Sequence, residues 1–218
     1  MLSNNSKDFL IMIPAYNEEK TIKKIVRGIK KFGKVLVVND ASKDKTKQIA
    51  SLAGALVINH KKNLGYNNAV DTGLKFFLKS KYKKIILIDA DGQHPIKYIK
   101  DFKKYLNLKN EVVCGVRNTI TRIGEKIFVK LSHIIWDLND PLCGMKGYSK
   151  NFLKKFYKTP NYNFIGTEYL IKAKKKNIKI KEILINNRLR KDKSRFGEGL
   201  STNLSIIFTF FKCVMLIN

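Results

Sequence analysis

The chain has 218 residues, 44% of them hydrophobic, enough for one domain with a real core. Its 44 Lys and Arg against 17 Asp and Glu give a formal charge of +27, suited to nucleic acid, anionic lipid or a polyanionic substrate. The lysines are scattered along the whole chain, which fits a compositional bias over every surface helix equally well. Runs at residues 9–13, 34–38, 55–58, 84–88 and 111–116 read as strands, and the segments 18–31, 44–53, 65–78 and 95–106 as helices. Ile22, Ile25, Val26 and Ile29 recur at helical spacing, as do Ala69, Val70, Gly73, Leu74 and Phe77. Alternating β and α elements with short connections imply an α/β fold with a mainly parallel sheet covered on both faces. Further on, 122–138 reads as a helix, 144–148 as a short strand, 169–176 as a Lys-rich helix and 178–185 as a strand. A basic loop over 188–199 leads to an apolar tail, so the simplest division is one domain over 1–200 and a C-terminal helix over 201–218.

The cysteines, Cys114, Cys143 and Cys213, are odd in number and far apart, with no Cys-x-x-Cys pair. That argues against a zinc site or disulfide framework and favours a reducing compartment. The first eight residues are polar and lead into a strand, so no secretory signal is expected.

The richest segment is Asp89-Ala90-Asp91-Gly92-Gln93-His94-Pro95, directly after the apolar run Ile85-Ile86-Leu87-Ile88. In open α/β sheets ligands bind where strands end, and two carboxylates one residue apart lie there. Hard oxygen donors of this kind suit Mg²⁺ or Mn²⁺, which share their shell with substrate phosphates and water. Two other strand ends carry polar clusters. Pro14-Ala15-Tyr16-Asn17-Glu18-Glu19 follows the first, and Val38-Asn39-Asp40-Ala41-Ser42 the second. Asp40 at that place is either a hydrogen-bond acceptor for a base N–H or a turn-forming residue. In Asn63-Leu64-Gly65-Tyr66, Gly65 reads as a close-approach position before a helix.

Taken in order, PAYNEE, NDAS and DADGQHP resemble the glycosyltransferase family 2 pattern on the GT-A fold, over about residues 8–200. The nearest subgroup by this resemblance is the dolichol-phosphate mannose synthases and other polyprenyl-phosphate glycosyltransferases. Asn39 departs from the pattern, standing where the family more often has a first Asp. The resemblance implies a nucleotide-sugar pocket of Pro14, Tyr16, Glu18, Val38, Asp40, Asp89, Ala90 and Asp91, and a divalent cation, Mg²⁺ or Mn²⁺, held by Asp89, Asp91 and Gln93. It implies an inverting transfer from GDP-mannose or a UDP-hexose, with Asp91, Arg117 and Glu168 as catalytic candidates.

For the acceptor, the family's Glu-Asp pair corresponds to Glu168-Tyr169, with Tyr replacing the Asp that acts as general base on sugar hydroxyls. A phosphate monoester is already anionic near neutral pH, its second pKa being about 6, and needs no base. A polyprenyl phosphate, dolichyl or undecaprenyl, is therefore the expected acceptor. Glu168 remains either a base, for a saccharide hydroxyl in polysaccharide assembly, or a helix cap. Arg117, Arg122 with Lys126, Arg188, Arg190 and Arg195 are the candidates for the acceptor phosphate, because guanidinium groups bind phosphate in a bidentate way. Either Arg188 or Arg190 matches the family's late arginine. Asp140-Pro141-Leu142-Cys143-Gly144 resembles a family turn with Ser at the cysteine's place, which marks Cys143 as structural.

The tail, with Ile206, Ile207, Phe208, Phe210, Phe211, Val214, Met215 and Leu216, is apolar nearly all round a helix and shorter than the roughly 20 residues that span a bilayer. Two readings stand: docking on a membrane surface, or packing on the core or a partner copy. With the first, the protein works at the cytoplasmic face as a peripheral or monotopic enzyme. Nucleic acid is not the expected partner, since the sequence has no zinc motif, KH loop or ribonucleoprotein aromatic signature.

Overall fold

The computed structural model describes residues 6–107, 110–157, 164–188 and 199–217. Seven strands, β1 (Phe9–Ala15), β2 (Lys34–Asn39), β3 (Leu56–Asn59), β4 (Lys84–Leu87), β5 (Val112–Arg117), β6 (Lys146–Ser149) and β7 (Ile180–Ile185), form one sheet in the order β3-β2-β1-β4-β6-β5-β7. All neighbours are parallel except β6, which runs antiparallel to both β4 and β5. The helices are α1 (Ile22–Ile29), α2 (Thr46–Leu52), α3 (Tyr66–Lys79), α4 (Ile99–Asn107), α5 (Ile123–Trp136), α6 (Lys150–Phe156), α7 (Ile165–Lys175) and α8 (Leu200–Ile217).

Period-two alternation in the strands divides the core into two layers. Phe9, Ile11 and Ile13 of β1 pack with Ile25 of α1, Ala50 of α2 and Phe102 of α4. Leu10 and Met12 face the other way, toward Leu74 of α3, Phe128 of α5, Phe152 of α6, Leu170 of α7 and Phe210 of α8. With helices on both faces, every residue of β1 is buried, which is why these strands read as unbroken apolar runs. Each fully buried Leu, Ile or Phe contributes about 1.5–3 kcal/mol by burial of apolar surface.

The second half departs from the sequence reading in three places. The short strand near 144–148 is β6, inserted between β4 and β5, so a chain reversal separates two otherwise parallel neighbours. Asp137, in the left-handed conformation (φ 51°), ends α5 and starts that reversal. Helix α6 was not expected, although Ser149 caps it by accepting a hydrogen bond from Phe152 N at 3.0 Å. Helix α7 begins at Ile165, four residues before the expected 169, because its N-cap Phe164 offers no side-chain signal.

Helix α8 has two apolar faces. Phe210 and Cys213 are buried against α5 and α7, while Leu200, Leu204, Phe208, Phe211 and Met215 form an exposed outer stripe. Beside it, α5 exposes Ile123, Ile127, Ile134 and Ile135. The helices are joined where Gly124 N donates to Asn203 Oδ1 at 2.8 Å. Among the described residues, no helix is long and apolar enough to cross a membrane.

Candidate active site

Strands β1 to β4 point the same way, so the loops that follow them gather at one edge of the sheet. The loops after β1 and β2 are laced together. Asn17 N donates to Ser42 Oγ at 2.9 Å, Lys43 N to Asn17 Oδ1 at 2.8 Å and Glu18 N to Thr46 Oγ1 at 2.7 Å. Asn17 and Ala41 take positive φ (54° and 56°) to make these turns. Pro14 and Val38 are buried in β1 and β2, while Tyr16 and Glu18 are half-buried at the opening. Asn39, buried, donates to Asn59 Oδ1 and accepts from Ser42 Oγ.

Asp40 is placed differently from the expected base-reading residue. It is 3% exposed, and its carboxylate accepts from Leu64 N (2.9 Å), Gly65 N (2.8 Å) and His60 Nδ1 (2.6 Å). Those contacts tie the loop before α3 to the end of β2. Gly65 takes a φ of +87°, a backbone conformation that favours glycine, and a Cβ there would meet no protein atom within 4 Å.

At the end of β4, Asp89 is 28% exposed along its side chain, and Ala90 is buried beside it. Asp89 Oδ1 accepts from the Tyr66 hydroxyl at 3.2 Å, and Oδ2 lies 3.6 Å from His94 Nδ1. Burial first, and then the Asp89 charge, raise the Tyr66 pKa well above the ordinary phenol value and keep the hydroxyl a donor. Gly144 lies directly against the Asp89 carboxylate: a Cβ on it would overlap Oδ2 and lie 2.6 Å from Cγ. Asp91 Oδ1 accepts from Gln93 N at 3.0 Å, and Gln93 is joined to Arg188 through Arg188 N to Gln93 O at 2.9 Å. His94 is buried against Cys143, with Nε2 3.7 Å from Sγ. Burial pushes the imidazole down, but the Cys143 contact and the Asp89 and Asp91 charges outweigh it and hold the pKa at about 9.

These groups fit a hard divalent cation. Asp89, Asp91 and Gln93 bring oxygen donors to one loop, and His94 Nδ1, a buried polar atom without a partner, faces Asp89. Among the described residues no three His, Cys, Asp or Glu side chains are grouped so as to hold a metal ion by themselves. An open set of this kind suits a cation that completes its shell with ligand phosphates and water.

The cationic side of the cleft is largely neutralised from within. Arg117 Nε and Nη2 bind Asp140 (2.8 and 3.0 Å), and Nη1 binds Glu125 at 2.9 Å. Arg122 Nη1 holds the other Glu125 oxygen at 2.7 Å. Two guanidinium groups thus face two carboxylates, and Arg117 is not the open phosphate receptor the sequence suggested. Burial works against its charge, but Asp140 and Glu125 more than restore it and raise the pKa. Arg188 is exposed next to Gln93, while Arg190 and Arg195 lie outside the described residues. Glu168 does not cap α7: it is 8% exposed, pairs with Lys172, and after burial contributes to pushing the Cys213 thiol up to about 12. Tyr169 is core, 1% exposed against Tyr148 and Phe152.

The family model for glycosyl transferase family 2 matches residues 10–166, spanning the sheet edge and the Asp89–Asp91 loop. The chain belongs to glycosyl transferase family 2. It is 30% identical to the uncharacterized protein MJ1222 of Methanocaldococcus jannaschii, over 94% of this chain and 91% of that one. It is 27% identical to the UDP-N-acetylglucosamine–dolichyl-phosphate N-acetylglucosaminyltransferase of Methanococcus voltae, over 94% of both chains. Among solved structures, glucosyl-3-phosphoglycerate synthase from Mycobacterium tuberculosis in complex with Mn²⁺, UDP-glucose and phosphoglyceric acid superposes with a TM-score of 0.79. It shares 17% identity over 97% of this chain and 79% of that one, a likeness of fold.

Several features of this glycosyltransferase's cleft escaped the sequence reading. Tyr66, Gly144 and the His94–Cys143 contact meet Asp89 from three elements, and Lys146, 4% exposed in β6, donates to the Cys143 carbonyl. The antiparallel entry of β6 beside β4 puts residues 143–146 there. Only the family turn at 140–144 hinted at it.

Proposed function

We propose that this glycosyltransferase moves a sugar from a nucleotide-sugar to a polyprenyl phosphate, with inversion at the anomeric carbon. One observation carries the choice of acceptor: beside Glu168, where family members acting on sugar hydroxyls have a base, Tyr169 is locked in the core. Glu168 itself is occupied by Lys172. A phosphate monoester needs no deprotonation before attack. Its oxygen attacks the anomeric carbon while the bond to the nucleoside diphosphate breaks and the electron pair leaves on the β-phosphate.

Asp89, Asp91 and Gln93 would hold the Mg²⁺ or Mn²⁺, which when bound supplies Lewis-acid stabilisation of the departing diphosphate. Pro14, Tyr16, Glu18 and Val38 frame the nucleotide. The donor is GDP-mannose or a UDP-hexose, and relatives named for UDP-N-acetylglucosamine and for dolichyl-phosphate glucosyl transfer support the second. Arg122 and Arg188 would receive the acceptor phosphate, with Arg117 as the buttress that fixes Asp140 and Glu125. The exposed apolar stripe of α8 supports docking on the membrane surface that carries such a lipid.

The test is transfer of radiolabel from UDP-N-acetylglucosamine, UDP-glucose and GDP-mannose to dolichyl or undecaprenyl phosphate, with oligosaccharide as the competing acceptor. We expect a lipid-linked product that requires Mn²⁺ or Mg²⁺ and disappears in EDTA. Asp91→Ala abolishes it with unchanged thermal melting. Label found only in oligosaccharide would establish the hydroxyl acceptor instead.

A further inference from the structure

His94 is 5% exposed, and among the described residues its Nδ1 is the one buried side-chain nitrogen or oxygen with no hydrogen-bond partner. Buried polar atoms are nearly always satisfied, so an orphan at a ligand cleft calls for a function. Its position is over-determined by neighbours. Nε2 rests 3.7 Å from the fully buried Cys143 Sγ, and the Cys143 carbonyl is held in turn by the Lys146 ammonium. Nδ1 then points at Asp89 Oδ2, 3.6 Å away, outside hydrogen-bond range by about half an ångström. On the opposite side the Tyr66 hydroxyl already engages Asp89 Oδ1.

We infer that His94 is a positioning residue for Asp89. Anchored on Cys143, it presents an Nδ1–H that closes on Asp89 Oδ2 when the carboxylate turns to receive a divalent cation. The Asp89 side chain is 28% exposed, whereas the His94 side chain is 4% exposed, so the carboxylate is the partner with room to adjust. With Tyr66 on one oxygen and His94 on the other, the carboxylate keeps only the lone pairs aimed at the cation. Outer partners of this sort fix a ligand's orientation and basicity. The replacement of Ser by Cys in the 140–144 turn supplies a long-reaching sulfur contact to the ring. This inference rests on the cation site proposed above and adds the group that orders it.

The test uses the full chain with His94→Asn, His94→Gln and His94→Phe. Asn offers an N–H near Nδ1, Gln one near Nε2, and Phe neither. Mn²⁺ affinity in the presence of saturating UDP or GDP is read by electron paramagnetic resonance, and melting is followed in EDTA. We expect His94→Phe and His94→Gln to weaken Mn²⁺ binding by tenfold or more and His94→Asn by less than about threefold, the scale of outer-partner losses. In EDTA, His94→Phe should melt no lower than His94→Asn, since it removes an unsatisfied donor. Nitrogen NMR of the ring should find Nδ1 carrying hydrogen. Wild-type Mn²⁺ affinity in His94→Phe, affinity that tracks melting across the three variants, or a bare Nδ1 overturns the inference. Failure of the wild type to bind Mn²⁺ with either nucleotide overturns the cation site and this inference together.

Discussion

Gly144 and Asp40 separate residues that shape the cleft from residues that hold it up. At Gly144 the backbone is ordinary, so Gly144→Ala adds only a methyl group, and that methyl occupies the space of the Asp89 carboxylate. Asp89 can swing outward to relieve the overlap, so stability should change by less than about 1.5 kcal/mol, within the usual range for tolerated substitutions. Turnover should fall by about 100-fold, the cost expected for a misplaced reacting group. A kcat measurement beside a melting curve checks both, and near-normal kcat would show that Asp89 acts from another orientation. Asp40→Ala should do the reverse. It strips the acceptor from Leu64 N, Gly65 N and His60, leaving donors that cost about 1–3 kcal/mol each when buried and unpaired. Thermal melting should drop clearly even without ligand. An Asp40 reserved for a nucleotide base would leave the melting of the free protein unchanged.

Elements differ in how much of them the sequence revealed. Strands β1, β2, β4 and β5 and helices α1 to α3 fall close to their expected places, since a strand covered on both sides must be apolar throughout and a helix on such a sheet must be apolar on one side. PAYNEE and the Asp89–Asp91 pair were legible because each directly ends such a strand. Illegible were the contacts made by β6, a four-residue strand containing Lys146 and Gly147, whose pairing with β4 joins positions some 60 residues apart in sequence. No local pattern encodes that Gly144 makes room for Asp89, or that Arg117 is closed on Asp140. Helix α8 was ambiguous for a physical reason: one face packs on the core, and the other leaves an exposed apolar stripe, for which membrane docking is the proposed role. Its two faces predict opposite outcomes. Phe210→Ala, removing a ring 5.2 Å from Phe128 and 5.4 Å from Trp136, should cost about 3 kcal/mol or more. Phe208→Glu with Phe211→Glu should leave urea-unfolding midpoints nearly unchanged and abolish sedimentation with anionic vesicles. Loss of fold in the double variant would show that this stripe is core.

For the whole molecule the question is what a charge of +27 is for, and the cysteines and the exposed helices address different parts of it. Cys213 is held up to about 12 by burial, and Cys114 is raised well above its ordinary value for the same reason, so both stay neutral thiols in the native state. In the unfolded chain they ionise near 8.5, so their contribution to stability is complete below that pH and is lost as pH rises toward 12. Native protein at pH 8 should therefore resist alkylation at both sites, and melting should fall on the alkaline side, less steeply in Cys213→Ala. The charge itself bears on partners. Cations near an anionic surface add about 1 kcal/mol each and fade within a Debye length of about 10 Å at 0.1 M salt, whereas apolar insertion is indifferent to salt. Lys126, Lys130 and Lys212 flank the exposed apolar side chains of α5 and α8, so the two contributions act on one surface. Vesicles containing anionic lipid should bind strongly at low salt and weaken, without complete loss, at 0.5 M, while zwitterionic vesicles bind weakly and without salt dependence. Duplex DNA supplies charge but nothing for Phe208 and Phe211 to enter. Binding to DNA should vanish at 0.5 M salt and be no weaker for Phe208→Ser with Phe211→Ser, a pair that should remove the salt-resistant part of vesicle binding. Equal loss from both partners would mean that the stripe serves only to shape the helix, and the charge would then act alone.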